Sequence, residues 1–120
     1  QKSNTLGLEF QTAYAQSDAE SKKFLGSLYD ILPPKENSVH PAPVGEWNQV
    51  RIVSKNNKVQ HWLNGYKVLQ YKRGGKKFKM GVLNSKFKRI ENFGVVTEGH
   101  ILLQDHNDKV SFRNIKIREL

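Results

Sequence analysis

Residues 99–117 read GHILLQDHNDKVSFRNIKI and predict two strands joined by a polar turn. Residues 101–103 are an apolar run, typical of a strand that is covered on both sides. Residues 107–108 supply turn chemistry, because Asn and Asp side chains hydrogen-bond their own backbone. Residues 110–117 form the predicted return strand, and its apolar spacing slips by one after Phe112, which indicates a β-bulge.

Three polar residues follow the first of these strands. Gln104, Asp105 and His106 place an amide, a carboxylate and an imidazole in a row. Catalytic and binding residues are commonly titratable groups at the ends of strands, where a rigid scaffold holds them in place. Gln104 and His106 share one side of a regular strand, so this pair is the better candidate for a site. Asp105 points the other way and can equally cap the turn that follows.

Length and composition bound the class of protein. The chain has 120 residues, which is enough for one domain, and it has no apolar run long enough to span a bilayer. It has no cysteine, which excludes disulfides, thiolate metal sites and a cysteine nucleophile. It begins with Gln1, so we expect a processed or truncated product.

The net charge of +9 is concentrated in one stretch. Between Lys72 and Arg89 eight residues are Lys or Arg and none is acidic, whereas the rest of the chain has twelve bases and eleven acids. Such a run is typical of a solvated helix and loop face, and it can also bind a polyanion. Only Phe78 and Phe87 are aromatic within it, so the stacking platform of single-strand binders is missing and no nucleic-acid partner is predicted.

The remaining pattern favours antiparallel strands. Strand-like runs occur at residues 7–14, 26–32, 47–54, 59–63 and 66–71. Asn64–Gly65 between the last two is a strong hairpin signal, because a type I′ turn needs positive φ at both positions. The register that follows pairs Leu63 with Tyr66, Trp62 with Lys67, His61 with Val68, Gln60 with Leu69 and Val59 with Gln70. A slip of one residue would invert the two faces.

One helix is predicted after the hairpin. Phe78, Val82, Leu83, Phe87 and Ile90 recur at helical spacing, with the lysines largely on the other face. About seven strands, one short helix and many turn signals favour an all-β antiparallel sandwich. No domain boundary or internal repeat is visible, so residues 1–120 are predicted to be a single domain.

Three segments carry a family resemblance. They are residues 26–30 (GSLYD), residues 45–65 from GEWN to HWLNG, and residues 103–117 from LQDH to FRNIKI, with residues 85–87 (SKF) between the last two. In this order and spacing they resemble the bacterial 3-keto-disaccharide hydrolase family, formerly a domain of unknown function. The resemblance spans almost all of the chain. The lysine density of residues 72–89 exceeds what the family pattern needs.

The resemblance implies a fold and a location. It implies a concanavalin-like jelly roll whose first strands lie outside this chain, so that residues 1–120 are the C-terminal portion of a larger domain. It also implies a bacterial protein exported to the periplasm or cell surface. The expected partner is a carbohydrate, a 3-keto-disaccharide or 3-keto-glucoside.

The resemblance also implies a chemistry. A ketone at C3 acidifies the hydrogen at C2, so a base can form an enolate that expels the group at C1, and water can add later. This route needs a base, an enolate stabiliser and an acid for the leaving oxygen. A divalent metal ion is a candidate cofactor for the second role. Ordinary glycoside hydrolysis instead uses two carboxylates, and the sequence leaves hydrolase and lyase both open.

The candidate residues follow from these needs. The candidate catalytic residues are His106, Asp105 and Glu9, and the candidate substrate-binding residues are Gln104, His61, Tyr29 and Trp62. Structural alternatives stay open for several of them. His61 also fits a satisfied core histidine, Trp47 and Trp62 also fit core anchors, and Asn64 also fits a plain turn residue. His40 and His100 are assigned no role.

Two other functions stay open. A non-catalytic glycan-binding module on the same fold would show an open groove, an exposed aromatic platform and no perturbed titratable cluster. A polyanion binder would use the cations of residues 72–89.

Overall fold

A computed structural model describes residues 7–12, 21–105 and 109–120. The regular elements in these residues are β1 (Val50–Lys55), β2 (Lys58–Leu63), β3 (Tyr66–Lys72) and α1 (Lys76–Leu83). The strands form one antiparallel sheet in the order β1-β2-β3. This confirms the predicted all-β class with one short helix. No helix in the described part of the chain is long and apolar enough to cross a membrane.

The Asn64–Gly65 turn joins β2 and β3 as predicted. Asn64 has φ 50° and Gly65 has φ 85°, the two positive values that a type I′ turn requires. Asn64 also holds the loop that leads into β1. Its Oδ1 accepts a hydrogen bond from the Gln49 backbone N–H at 2.8 Å, and its amide donates to the His40 carbonyl oxygen at 2.8 Å. Asn64 therefore both forms the turn and links it to the loop that contains His40 and Gln49.

A β-bulge in β3 changes the register beyond the turn. Leu63 pairs with Tyr66 and Trp62 with Lys67, as predicted, but His61 pairs with Leu69, Gln60 with Gln70 and Val59 with Tyr71. Val68 is the extra residue of the bulge. The residues of β3 that follow it therefore face the opposite side of the sheet from the side that the regular register predicts. Val68 and Tyr71 are consequently both buried, although they are three positions apart. The predicted pairs of His61, Gln60 and Val59 are wrong, because a loop length fixes the register only as far as the first bulge.

The core lies on the face of the sheet that carries His61. Its buried apolar side chains are Leu25, Leu28, Ile31, Val59, Leu63, Val68, Tyr71, Phe78, Phe87 and Phe93. The layer that covers this face comes from residues 21–34, α1 and residues 85–94. β1 is covered least, since Val50 is 44% exposed and Ile52 is 56% exposed.

Turns replace the strand predicted at residues 26–32, and the described residues 7–12 of another predicted strand have no regular secondary structure beyond one bridge. In the described residues 7–12 and 26–32 the only ladder contacts are single bridges from Phe10 to Leu28 and from Leu28 to Leu32. The backbone N–H groups of Ile31 and Leu32 both donate to the Leu28 carbonyl, which closes a tight turn. Leu28 and Ile31 point into the core from this turn. A spacing of three between buried residues fits a turn better than the period of two of a strand.

The helix is shorter than predicted. α1 ends at Leu83, and the chain continues in turns whose N–H groups bond three residues back, from Ser85 to Val82, from Lys88 to Ser85 and from Ile90 to Phe87. These tighter turns keep the helical direction of the apolar residues. Phe87 is therefore still buried, stacked on Phe93 with ring centroids 4.3 Å apart.

The described residues of the hairpin predicted at 101–117 form no strands. Residues 101–105 and 109–117 have no regular secondary structure, and residues 107–108, the predicted turn, lie outside the described residues. The apolar side chains of the segment stay exposed, up to 82% for Ile117. A strand needs a neighbour that accepts its backbone hydrogen bonds, and no described strand pairs with this segment. The two strands and the bulge predicted here are therefore wrong for the described residues.

Gly81 provides a test of how α1 packs. A Cβ at Gly81 would lie 2.6 Å from the Ile31 carbonyl oxygen. Alanine in a free helix would stabilise it by about 1 kcal/mol relative to glycine. Here the clash reverses the sign, and we expect Gly81→Ala to lower the free energy of unfolding by about 1–3 kcal/mol. Urea denaturation followed by circular dichroism measures this change.

The control for this test is Lys77→Ala, at an exposed position of the same helix. We expect it to change the stability by less than about 0.5 kcal/mol. A Gly81→Ala variant as stable as the parent would show that α1 does not approach residue 31 closely.

Candidate active site

A cavity of about 180 Å³ lies between the sheet and the segment that contains Glu9. Four of its lining residues carry charge or exchange protons: Glu9, His61, Tyr71 and Arg73. Pockets that enclose a drug-sized ligand are larger, about 300–1,000 Å³. A ligand of that size can therefore enter this cavity only in part.

His61 is held rigidly at the cavity wall. The side chain is 2% exposed, and its ring stacks on Phe10 with centroids 4.4 Å apart. Its Nδ1 lies 2.9 Å from the Gly26 carbonyl oxygen. Because a carbonyl only accepts, Nδ1 carries the proton and Nε2 is left as an acceptor. Burial lowers the pKa of His61 from 6.5 to about 4, against the opposing effect of the bond to Gly26.

Tyr71 supplies a proton donor beside this imidazole. Its ring meets the ring of His61 edge-on, with centroids 5.8 Å apart. Burial raises the pKa of the Tyr71 hydroxyl, and the nearby positive charge of Arg73 lowers it by a smaller amount. The phenol therefore stays protonated at neutral pH.

Arg73 supplies the positive charge of the cavity. Its Nη1 donates to the Val96 carbonyl oxygen at 2.9 Å, and its Nη2 donates to Asn57 Oδ1 at 3.1 Å. Its Nε is buried and has no hydrogen-bond partner among the described residues. A buried donor of this kind costs free energy unless another group accepts from it, so it marks a place for a ligand oxygen or a water.

Sequence reasoning did not find Tyr71 or Arg73. Tyr71 reaches the core side of the sheet through the bulge at Val68, which no local pattern marks. Arg73 belongs to the cationic run of residues 72–89, which on its own predicts a solvated face. The sequence feature that could identify Arg73 is its position directly after the strand β3, because polar residues at strand ends are frequent site residues.

The structure brings together two of the predicted site residues. Glu9 is half-buried and lines the same cavity as His61. Tyr29 lies next to Glu9, since its backbone N–H donates to the Glu9 carbonyl oxygen at 2.9 Å, but it does not line the cavity. Trp62 pairs with Arg51 and Lys67 on the opposite face of the sheet. One sugar ring cannot contact both His61 and Trp62, because the sheet separates them.

The remaining predicted residues lie in the C-terminal segment. Gln104 and Asp105 are exposed in chain without regular secondary structure, and His106 lies outside the described residues. Their roles stay predictions. The cluster of Glu9 and His61 therefore rests on residues far from the segment that the sequence favoured.

The described residues do not fit a metal site. No group of three or more His, Asp or Glu side chains in the described ranges is placed to hold a metal ion. At the cavity only Glu9 and His61 are of the required types, and Nδ1 of His61 already bonds Gly26. The predicted divalent ion thus has no ligand set in this part of the chain.

Comparison with known proteins assigns the chain to a protein family. Residues 1–118 match the family model described as a 3-keto-alpha-glucoside-1,2-lyase-like domain. The chain is 32% identical over 116 residues to a 3-keto-disaccharide hydrolase of Bacteroides thetaiotaomicron, an alignment that covers 88% of this chain and 39% of that protein. These matches confirm the resemblance that the sequence motifs carry.

A solved structure is similar as well. It comes from Parabacteroides distasonis, and the protein is provisionally described as a glycosyl hydrolase. The TM-score is 0.53 at 30% sequence identity, over 63% of this chain and 34% of that chain. The chain therefore spans well under half the length of each of these two relatives.

The buried imidazole makes stability depend on pH. The pKa of His61 is about 4 in the folded chain and 6.5 without burial, so the unfolded chain binds more protons between these values. We expect the contribution of His61 to the free energy of unfolding to be complete above pH 6.5. It decreases as the pH falls toward 4, by on the order of 3 kcal/mol in total. Urea denaturation across this range measures it.

Two variants isolate this effect from other titrations. His61→Gln keeps a donor for the Gly26 carbonyl and removes the titration, so its stability is expected to vary less between pH 6.5 and 4. His40→Gln removes an exposed imidazole and is expected to follow the parent. Equal pH dependence in the parent and His61→Gln would contradict a buried neutral His61.

Proposed function

The chain belongs to the 3-keto-alpha-glucoside-1,2-lyase-like family, and on that basis we propose that it acts on 3-keto-glycosides and breaks their glycosidic bond by elimination. The observation that supports this most directly is the cavity shared by Glu9, His61, Tyr71 and Arg73. An enolate route requires a base and fixed donors or a cation for the enolate oxygen, and these side chains include a carboxylate, a phenol and a guanidinium. The relative from Bacteroides thetaiotaomicron is named a 3-keto-disaccharide hydrolase, which agrees with this substrate class.

Glu9 is the proposed base. Glu9 lines the cavity together with its chain neighbours Leu8 and Phe10, and it is the only carboxylic acid among the lining residues. Removal of the C2 proton of a 3-keto sugar leaves its electron pair in the C2–C3–O enolate. The pair then forms the C1–C2 double bond as the C1–O bond to the leaving group breaks. Water that adds across this double bond afterwards gives the hydrolysis product.

Arg73 and Tyr71 are the proposed enolate stabilisers. The negative charge of the enolate develops on the oxygen at C3, where fixed donors and cations are most effective. Arg73 is held by two hydrogen bonds and keeps a buried Nε–H without a partner in the described chain. Tyr71 remains protonated beside it. These residues would perform the role for which the sequence suggested a metal ion.

His61 is the proposed positioning residue. Its Nδ1 proton is used by the Gly26 carbonyl, so Nε2 can accept a hydrogen bond from a sugar hydroxyl. A pKa of about 4 makes it a weak base at neutral pH, which favours Glu9 for proton removal. On sequence grounds we assign His106 to protonation of the leaving oxygen, with Gln104 beside it as a substrate ligand and Asp105 as an alternative acid.

The shifted pKa values of His61 and Tyr71 favour an enzyme over a binding module. A module that only holds glycans needs no buried titratable groups with strongly shifted pKa values. Both shifts arise here from burial at one cavity. From the resemblance alone, we also propose export to the periplasm or cell surface.

The role of Glu9 is tested by Glu9→Gln in the full-length protein. We expect kcat/KM for a 3-keto-glucoside to fall by about 100-fold or more, because a general base contributes roughly that much. Release of reducing sugar measures the rate. Glu46→Gln changes an exposed carboxylate and is the control, with an expected rate equal to the parent. Full activity of Glu9→Gln would remove Glu9 from the mechanism.

Elimination is distinguished from direct hydrolysis by isotope incorporation. In D₂O, elimination followed by hydration places deuterium at C2 of the 3-keto sugar product. Direct displacement at C1 leaves the original hydrogen at C2. We expect deuterium at C2 by mass spectrometry and NMR, after correction for exchange in an enzyme-free control. Glu9 can return the proton it removed, so the rate with substrate deuterated at C2 is measured as well. A product that retains its C2 hydrogen, together with an unchanged rate for the deuterated substrate, would contradict the elimination step.

A further inference from the structure

The face of the sheet opposite the cavity is cationic. This outer face carries Arg51, Lys55, Lys58, Lys67 and Lys72, because each of them pairs with another outward residue across the strands. All five side chains are exposed. The chain has no Asp or Glu between Trp47 and Ile90, so no carboxylate of the sheet or of α1 neutralises them.

Three of these lysines stand directly opposite one another. Lys55 pairs with Lys58 across β1 and β2, and Lys58 pairs with Lys72 across β2 and β3. Like charges in opposed positions destabilise a sheet. The row of lysines therefore does not stabilise the fold. An anion placed between the ammonium groups would replace their mutual repulsion with attraction to the anion. The row therefore points to a negatively charged ligand.

Polar groups at the middle of the outer face are held in a fixed network. Trp62 Nε1 donates to Gln60 Oε1 at 2.9 Å, and Gln60 Nε2 donates to Gln70 Oε1 at 3.1 Å. Lys67 Nζ donates to the same Gln70 oxygen at 3.1 Å. Two oriented amides beside an indole suit hydroxyl groups, which both donate and accept hydrogen bonds.

Arg51 completes the other end of this face. Its guanidinium carbon lies 5.0 Å from the centre of the Trp62 ring. A stacked guanidinium keeps its N–H edge directed sideways, where it can bind a carboxylate with two parallel hydrogen bonds. Arg51 and Lys55 are four positions apart on β1, which is about 13 Å along a strand. The two cationic ends are thus farther apart than a single sugar ring.

A hollow of about 280 Å³ connects the amides to the lysine row. Its lining consists of Val53, Lys55, Asn56, Lys58 and Gln60. The volume is close to the lower limit of small-molecule sites. It offers an apolar floor at Val53, two ammonium groups and two amides, which matches one sugar ring that carries a carboxylate.

We propose that the outer face binds an acidic oligosaccharide through its carboxylate groups. One carboxylate contacts the row of Lys55, Lys58 and Lys72, and another contacts Arg51. The hydroxyls of the intervening sugar bond Gln60 and Gln70. A nucleic acid fits less well, because Trp62 is the only aromatic residue of this face and successive bases need successive stacking partners. The site lies on the other side of the sheet from the cavity and does not depend on the proposed activity.

Binding is tested with three probes of similar length: an oligogalacturonate, a neutral galactose oligomer and poly-L-glutamate. Trp47 and Trp62 are the only two tryptophans, so in a Trp47→Phe background the emission of Trp62 reports binding directly. We expect the oligogalacturonate to bind at least tenfold more tightly than either other probe, with an affinity that falls as salt rises. Equal binding of poly-L-glutamate would show a general polyanion surface, and equal binding of the neutral oligomer would exclude carboxylate recognition. Either result, or no binding, would overturn the proposal.

A matched pair of variants locates the site. Lys58→Gln removes the central lysine of the row, and we expect it to weaken oligogalacturonate binding about tenfold. Without ligand it relieves repulsion, so its melting temperature is expected to rise by roughly 1–5 °C. Lys79→Gln makes the same charge change on α1 and is expected to alter the affinity less than twofold. Equal weakening by the two variants would overturn a specific site on the sheet.

Discussion

The hydrogen bond from the His61 imidazole to the Gly26 carbonyl joins the two layers of the described chain. His61 lies on the central strand β2, and Gly26 belongs to the turns that cover the sheet. An unsatisfied imidazole in this apolar position would cost about 1–3 kcal/mol, so the covering segment has one favourable position over the sheet. Phe10, which forms a bridge with Leu28 of the covering layer, adds a ring stacked on His61. The charge state of His61 follows from this arrangement, since burial that excludes water also disfavours the protonated ring.

The bulge at Val68 then gives the sheet two faces of different chemistry. Beyond the bulge, Tyr71 reaches the cavity side, while Gln70 and Lys72 reach the outer side. Without the extra residue these assignments would be exchanged, and a phenol would stand on the outer face in place of an amide and a lysine. One face is therefore apolar with a few fixed proton-exchanging groups, and the other is cationic with a fixed amide network. Both the proposed active site and the proposed glycan surface depend on the same local irregularity.

The sequence predicts the hairpin well and the bulge not at all. Asn64–Gly65 has a conformational requirement that few residue pairs meet, so its turn and the inward side of His61 follow from chemistry alone. Val68 and Leu69 are both apolar, so the hydrophobic pattern accepts either phase and gives no sign of an extra residue. The pattern therefore does not show that Tyr71 faces the cavity, whereas Glu9 and His61 are among the residues that the sequence predicts for the site. The strands predicted within residues 101–117 are wrong in the described residues for another reason. Strand propensity is a local property, but strand pairing depends on a distant partner.

The open side of the cavity indicates how a substrate would enter. Val50 and Ile52 belong to the face of His61 and Leu63, yet they are 44% and 56% exposed, since the covering layer lies over β2 and β3. The guanidinium of Arg113 lies 4.1 Å from the ring centre of Trp47, which brings the C-terminal segment to the beginning of β1. On the proposed function, a sugar that enters across β1 covers Ile52 with its C–H face and turns its oxygens toward Glu9 and Arg73. Burial of this apolar surface would contribute to binding, and it would orient the ring before the proton is removed.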